Sequence, residues 1–276
     1  MNLLLLAFAA AAIPETATVA DADVAWTASG GFCEPETVLA LPDETLLVSN
    51  VCNFRERGNG FLTLLDKAGK ALEWQAVDGL DAPLGMALVG DRLYVVDNNH
   101  VRVLRWPGFE PLEYLPLSTA VANDIAVAAD GTMYVTDTAK GQVVVVSPDG
   151  EQSVLQASVP LDGANGIALR EGELYVGGAR LWCVNLENGA TTTIGGEWLA
   201  DIDGIEFEAD GTLQVTPVGG PLIRYLSDGD IRVLSGEGIS SANHGFAAAL
   251  GLALIPTGFD NTVIAIRVPL LAGGKP

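Results

Sequence analysis

The 276-residue sequence predicts an all-β fold, a six-bladed β-propeller, on three observations. One hairpin design recurs six times at a spacing of about 40 residues. Most copies are followed by a second hairpin, which makes four strands per repeat, the content of a propeller blade. Helical periodicity at i, i+3, i+4 is not sustained anywhere after the first twelve residues.

The six hairpins are VLALPDETLLVSN (38–50), MALVGDRLYVVDN (86–98), IAVAADGTMYVTDT (125–138), IALREGELYVGG (167–178), IEFEADGTLQVTP (205–217) and FAAALGLALIP (246–256). Asp130-Gly131 and Asp210-Gly211 supply preferred turn residues. Aligning the second strands places Leu47, Tyr94, Tyr134, Tyr175, Gln214 and Ala253 at one position. The second hairpins include TLLDKAGKALEW, VVVVSPDGEQSVL and LIRYLSDGDIRVL. A lone four-stranded sheet leaves two apolar faces in water, and radial stacking buries both. DVAWTAS (23–29) is expected to close the ring by completing the last blade beside TVIAIRV (262–268).

Composition agrees with a turn-rich β domain: 49% hydrophobic, 18% charged, with Gly 32 and Pro 14. A net charge of −21, from 35 acidic and 14 basic residues without a basic run, argues against nucleic acid as a partner. Met1 to Ala12, MNLLLLAFAAAA, is too short to span a bilayer and reads as a signal-peptide core, although no Lys or Arg precedes it. Cleavage is expected near Ala12, Ala20 or Ala22, giving a periplasmic or secreted protein with residues 23–276 as one propeller domain. No later segment is apolar enough to cross a membrane.

Cys33 and Cys52 flank the first hairpin at similar distances from its turn, Pro42–Glu44, and are expected to face each other across it. Whether they are bridged stays open at this point. Cys183, in the strand-like LWCVN, is expected in the core.

Chemistry concentrates just before each first strand. Innermost strands of a propeller line the central channel, so equivalent positions from successive blades converge there. The residue 9 to 11 places ahead of the aligned position is Glu36, Leu84, Asn123, Asn165, Asp203 and His244 in turn. Taken singly, Asn or Asp beside Gly is a turn former, and Glu34 competes with Glu36. Taken together, two carboxylates and two carboxamides are the hard oxygen ligands that calcium takes. Zinc is disfavoured, with two histidines and no cysteine cluster. His100, in DNNHVRV, belongs to an outer stretch. Arg55 and Arg57, in NFRERGNGF, are either a solvated loop or a means of orienting an acidic substrate at the channel entrance. No dinucleotide fingerprint, P-loop or haem motif is present.

PETV (35–38), VANDIAV (121–127), ANGIAL (164–169) and DIDGIEF (201–207), with the closing ANHGF and LIPTGFDNTVIAI, resemble the senescence-marker-protein/gluconolactonase-like, or regucalcin-like, propellers over about residues 31 to 268. The ending is similar to exported bacterial members. The resemblance implies a channel Ca2+ held by Glu36, Asn123, Asn165 and Asp203, and hydrolysis of a small-molecule lactone or related ester. Asp203 or His244 would serve as the catalytic base, or Asp203 as nucleophile. The histidine pair of the related paraoxonases has no counterpart here, and Leu84 makes one channel position apolar. The rival expectation is a non-catalytic propeller that binds a peptide, glycan or small ligand, with calcium pinning its blades.

Overall fold

The computed structural model describes residues 17–19, 21–225, 230–235 and 242–269. The apolar leader Met1–Ala12 lies outside them, as does part of LIRYLSDGDIRVL. The rest folds into six antiparallel blades, five of four strands and one of five. The innermost strands are Pro35–Ala40, Pro83–Val89, Ala122–Val127, Ile167–Arg170, Ile202–Phe207 and Gly245–Ala247. Each touches the next, and the sixth touches the first, so they form a closed ring around the channel. Among the described residues no helix is long and apolar enough to cross a membrane.

Closure is as the sequence predicts. Val24–Ser29 pairs antiparallel with Thr262–Arg267 as the outermost strand of blade six. The strand that precedes blade one therefore shares a sheet with the strands of blade six, and the blade cannot come apart without losing that ladder. A further strand was not foreseen: Thr18–Val19 runs parallel to Ile231–Val233 on the outer edge of blade five.

The apolar runs follow from blade stacking. Each of six core clusters draws on two consecutive blades. Along Arg92–Asp97, Leu93 and Val95 pack toward blade one, while Tyr94 and Val96 pack toward blade three. Period-two alternation with both faces buried reads in sequence as a continuous run. Each such Leu or Val, removed from water, contributes about 1.5–3 kcal/mol.

The predicted register holds in five blades: Leu39 faces Leu47, Ala87 faces Tyr94, Ala126 faces Tyr134, Ala168 faces Tyr175 and Glu206 faces Gln214. In blade six it is corrected by one residue. A 3-10 turn, Ala248–Leu250, closes that hairpin, and Leu252 rather than Ala253 packs against blade one. A one-residue slip turns every side chain to the opposite face.

Cys33 and Cys52 are joined in a disulfide, with Cα atoms 4.7 Å apart. Cys183 is only half-buried, on the third strand of blade four opposite Tyr175, and is not the enclosed core residue expected from its strand.

Candidate functional site

A dipeptide stands at or just ahead of the start of each innermost strand: Glu36-Thr37, Leu84-Gly85, Asn123-Asp124, Asn165-Gly166, Asp203-Gly204 and His244-Gly245. In blades one, two, three and five the pairing register breaks there, between Pro35 and Val38, Pro83 and Met86, Ala122 and Ile125, and Ile202 and Gly204. Such a bulge frees a side chain from the up-down alternation and re-aims it. It explains how the first residue of each pair can turn toward the axis. The second residue lies against the neighbouring blade. A Cβ on Gly166 would fall within the van der Waals radius of the Asp203 carbonyl oxygen, and one on Gly204 would strike His244 and Thr216. Glycine here lets adjacent inner strands approach closely enough to narrow the channel.

Hydroxyls of the second strands hold the bulges. Ser49 Oγ accepts from Thr37 N–H at 3.0 Å, Thr136 Oγ1 from Asp124 N–H at 2.9 Å, and Thr216 Oγ1 from Gly204 N–H at 3.2 Å. Thr136 Oγ1 also donates to the Asn165 carbonyl of the next blade, at 2.6 Å. These bonds fix the backbone under the candidate side chains.

Four polar atoms at the site are buried without a hydrogen-bond partner: Asn123 Oδ1, Asn165 Oδ1, Asp203 Oδ1 and His244 Nε2. Native interiors leave few such groups, and each calls for a ligand, an ion or a function. They sit at one register position of blades three, four, five and six. Glu36 joins them: burial raises its pKa well above the ordinary value, with the charges of Asp203 and Asp124 adding, partly offset by a 2.6 Å bond from Thr37 Oγ1. Burial, then Asp124, also pushes Asp203 up. Glu34, by contrast, is exposed, its N–H bound to Asn261 Oδ1 at 2.6 Å, so the channel carboxylate is Glu36.

Two carboxylates were not singled out by the sequence. Asp124 is buried and pushed up to about 7 by desolvation, against the opposing effect of bonds from Ile125 N–H, Ile167 N–H and the Asn243 side chain. Burial and then Asp124 push Glu206 up to about 8, with the Phe246 N–H opposing. The signal for Asp124 was the position itself, where three other blades carry glycine beside a polar residue. Among the described residues no ion pair supplies Glu36, Asp124, Asp203 or Glu206 with a cation. Buried carboxylates of this density are costly unless a cation neutralises them.

No three His, Cys, Asp or Glu side chains among the described residues stand as a ready-made metal cluster, so a cation here must draw on the carboxamide oxygens as well. Unpartnered carboxamide and carboxylate oxygens beside buried carboxylates fit a hard cation of the calcium type. His244 is fully buried, and desolvation lowers its pKa to about 3, so the ring is neutral. Its Nδ1 lies 3.0 Å from Thr216 Oγ1, which leaves Nε2 toward the channel.

The remaining sequence candidates lie elsewhere. His100 stacks on Tyr114 in blade two with ring centroids 4.3 Å apart, away from the channel. Arg57 is tied to Asp81 at 2.9 Å and Arg55 is exposed, which supports the solvated-loop reading of that segment.

No family model matches the chain, and no curated protein matches it in sequence. Solved structures do match in fold. A gluconolactonase from Xanthomonas campestris superposes with a TM-score of 0.66 at 19% identity, covering 90% of this chain and 88% of that one. A streptogramin B lyase gives 0.65 at 11% identity, covering 88% and 98%. Virginiamycin B lyase from Staphylococcus aureus gives 0.59 at 12% identity, covering 89% of each chain. At these identities the likeness shows the six-bladed propeller fold. The reaction has to be argued from the site.

Proposed function

We propose that this chain is a gluconolactonase-like propeller that hydrolyses lactones or related esters with the help of calcium, at the mouth of its channel. The observation that supports the reading is the set of buried, unpartnered atoms on Asn123, Asn165, Asp203 and His244, at one register position of four successive blades. Glu36, Asn123, Asn165 and Asp203 would hold Ca2+, the two carboxylates balancing its charge. Bound there, the ion supplies polarisation of the substrate carbonyl and stabilises the charge that develops on its oxygen.

The chain's own residues account for the remaining steps. Burial at the channel mouth excludes bulk water from the reacting carbonyl. Thr216 Oγ1, within reach of both the Ala242 carbonyl and His244 Nδ1, fixes the plane of the imidazole. When Thr216 donates to Ala242, Nδ1 carries the proton of His244 and Nε2 presents a lone pair to the channel. Two groups can then take the proton of the attacking water, His244 at Nε2 and Asp203 at its carboxylate.

The test is pH-stat hydrolysis of a lactone panel, with calcium and with chelator. Calcium-dependent turnover supports the reading, and comparison of His244→Gln with Asp203→Asn assigns the base. Absence of turnover across the panel, with calcium still bound, replaces it by a propeller that binds a ligand and uses calcium to pin its blades.

A further inference from the structure

The second strand of blade three, Met133–Asp137, ends in Thr136-Asp137 and is followed by Thr138. Both threonine hydroxyls reach into blade four. Thr136 Oγ1 donates to the Asn165 carbonyl at 2.6 Å, and Thr138 Oγ1 donates to the Ala164 carbonyl at 2.7 Å. The Ala164 carbonyl and the Asn165 N–H belong to one peptide group, and that N–H donates to the Gly177 carbonyl at 2.8 Å. The peptide groups on both sides of the Asn165 Cα are thus pinned. With both planes fixed, φ and ψ are fixed, and so is the direction in which the side chain leaves the backbone. The carboxamide oxygen has no hydrogen bond to hold it, since Asn165 Oδ1 is buried without a partner. Its aim therefore comes from the backbone.

The Thr138 hydroxyl is not part of the common blade design. In five blades the N–H four residues past the aligned second-strand position donates to a carbonyl two or three residues ahead of the channel residue. These bonds run from Val51 to Glu34, Asn98 to Ala82, Thr138 to Val121, Ala179 to Asp162 and Val218 to Asp201. The backbone bond belongs to the repeat, whereas only blade three adds a hydroxyl at that place. Blade four has the greatest need of one. Where blades one, three and five carry Ser49, Thr136 and Thr216, it carries Gly177, and a Cβ there would strike the Ile202 carbonyl. Its innermost strand begins only at Ile167, past Asn165. Blade four therefore presents a candidate ligand that none of its own hydroxyls steadies, and blade three supplies two.

We infer that Thr138 and Thr136 are positioning residues for the Asn165 carboxamide, Thr138 through the peptide group ahead of it and Thr136 through the one after. The Thr138 N–H also holds the Val121 carbonyl, two residues ahead of Asn123, at 3.0 Å. One strand end thus sets the approach to two neighbouring carboxamides. Calcium needs several oxygens presented at once, and groups one step behind a metal ligand account for about 10–100-fold in affinity. The inference rests on the reading of Asn165 as a calcium ligand, and it is tested by calcium binding without turnover.

The experiment is calorimetric titration of the metal-free protein with calcium chloride. Thr138→Val, at a half-buried position, is nearly isosteric and keeps the N–H bond to Val121; it should weaken calcium binding about tenfold. Thr138→Ser restores the hydroxyl and should recover most of that loss. In an Asn165→Ala background Thr138→Val should change affinity by less than about twofold, because the group it aims is gone. Ser235→Ala removes a buried hydroxyl that accepts the Leu222 N–H at 2.7 Å, beside the strand Ile231–Val233 of blade five, and should leave affinity unchanged. Parent-like affinity in Thr138→Val, or an equal loss in the Asn165→Ala background or in Ser235→Ala, overturns the inference. If Asn165→Ala weakens binding and Thr138→Val does not, the calcium site stands and this inference alone falls. Parent-like affinity in Asn165→Ala, or no calcium binding by the parent, removes both. The expected pattern of calcium affinities without hydrolysis of any lactone removes the hydrolase reading and leaves this one standing.

Discussion

Asp124 of blade three accepts the Ile167 N–H of blade four at 3.1 Å, a bond that crosses the boundary between the two blades. The same carboxylate takes the Ile125 N–H of its own strand at 2.8 Å, and the side chain of Asn243, in blade six, works against the burial that pushes its pKa up. Asn243 in turn bridges to Thr37 of blade one. One buried acid therefore ties blade three to blade four, while Asn243 ties blade six to blade one. Gly85 of blade two leaves room for the acid, since a Cβ there would overlap Asp124 Oδ1.

Asp124→Ala should cost about 3 kcal/mol, because two buried N–H groups lose their acceptor together. Asp124→Asn keeps an acceptor and should cost less than half as much. Urea denaturation in chelator reads both. Equal stability of the alanine variant and the parent would show that the link carries no load.

Asp203→Asn should act in opposite directions on stability and function. Removing one charge from beside Glu36 and Asp124 relieves repulsion, so the metal-free protein should gain on the order of 1 kcal/mol. The stabilisation by added calcium should shrink, and lactone hydrolysis should fall by about 100-fold or more. Thermal melts with chelator and with calcium, beside pH-stat rates, separate the effects. A variant that retained full turnover would exclude Asp203 as base and as nucleophile.

Much of this was legible in the sequence, because a repeat protein states its local rule six times. The period gave the blade count, and alternation gave faces, since Leu93 and Tyr94 must serve different cores. The closing strand was legible because Val24–Ser29 has the strand pattern and no partner nearby in sequence. What escaped was set by contact across the ring. Asp124 follows Asn123 as an ordinary turn residue would, and only the meeting of blades three and four gives its carboxylate the Ile167 N–H beside that of Ile125. Glu206 occupies a position where other blades carry Leu or Ala, and Asp124, which raises it, belongs to another repeat. In blade six the sequence misplaced the register because FAAALGLAL offers several equivalent alternations, and the 3-10 turn chooses among them.

The Cys33–Cys52 bridge closes a span of 19 residues around the innermost hairpin of blade one. It sits between Glu36 and the loop bearing Phe54, joined further by the Cys52 N–H to Cys33 carbonyl bond at 3.0 Å. Loop-closure entropy predicts that the Cys33→Ser/Cys52→Ser protein is less stable by about 3 kcal/mol. Urea denaturation of the oxidised parent, the reduced parent and the variant checks this. The reduced parent should match the variant, and a parent insensitive to reductant would mean that the bridge does not form in solution.

Arg224 supplies the last prediction. Its side chain is 1% exposed, it forms a bidentate pair with Glu208, and its Nη1 donates to the Pro269 carbonyl at 2.8 Å. Glu208 also accepts from Gln214 Nε2 at 2.8 Å. The pair therefore joins the third strand of blade five to the chain beyond the last strand of blade six. Two opposed terms decide its value. Desolvating both ions roughly cancels their attraction, so the intact pair adds little net stability, whereas an orphaned member costs about 3–5 kcal/mol. Arg224→Met should accordingly be strongly destabilising in urea. Arg224→Met combined with Glu208→Leu should recover most of the loss, because no buried charge then remains. Failure of the double variant to recover would place the stabilisation in the tie to Pro269, a contact that neither apolar side chain can make.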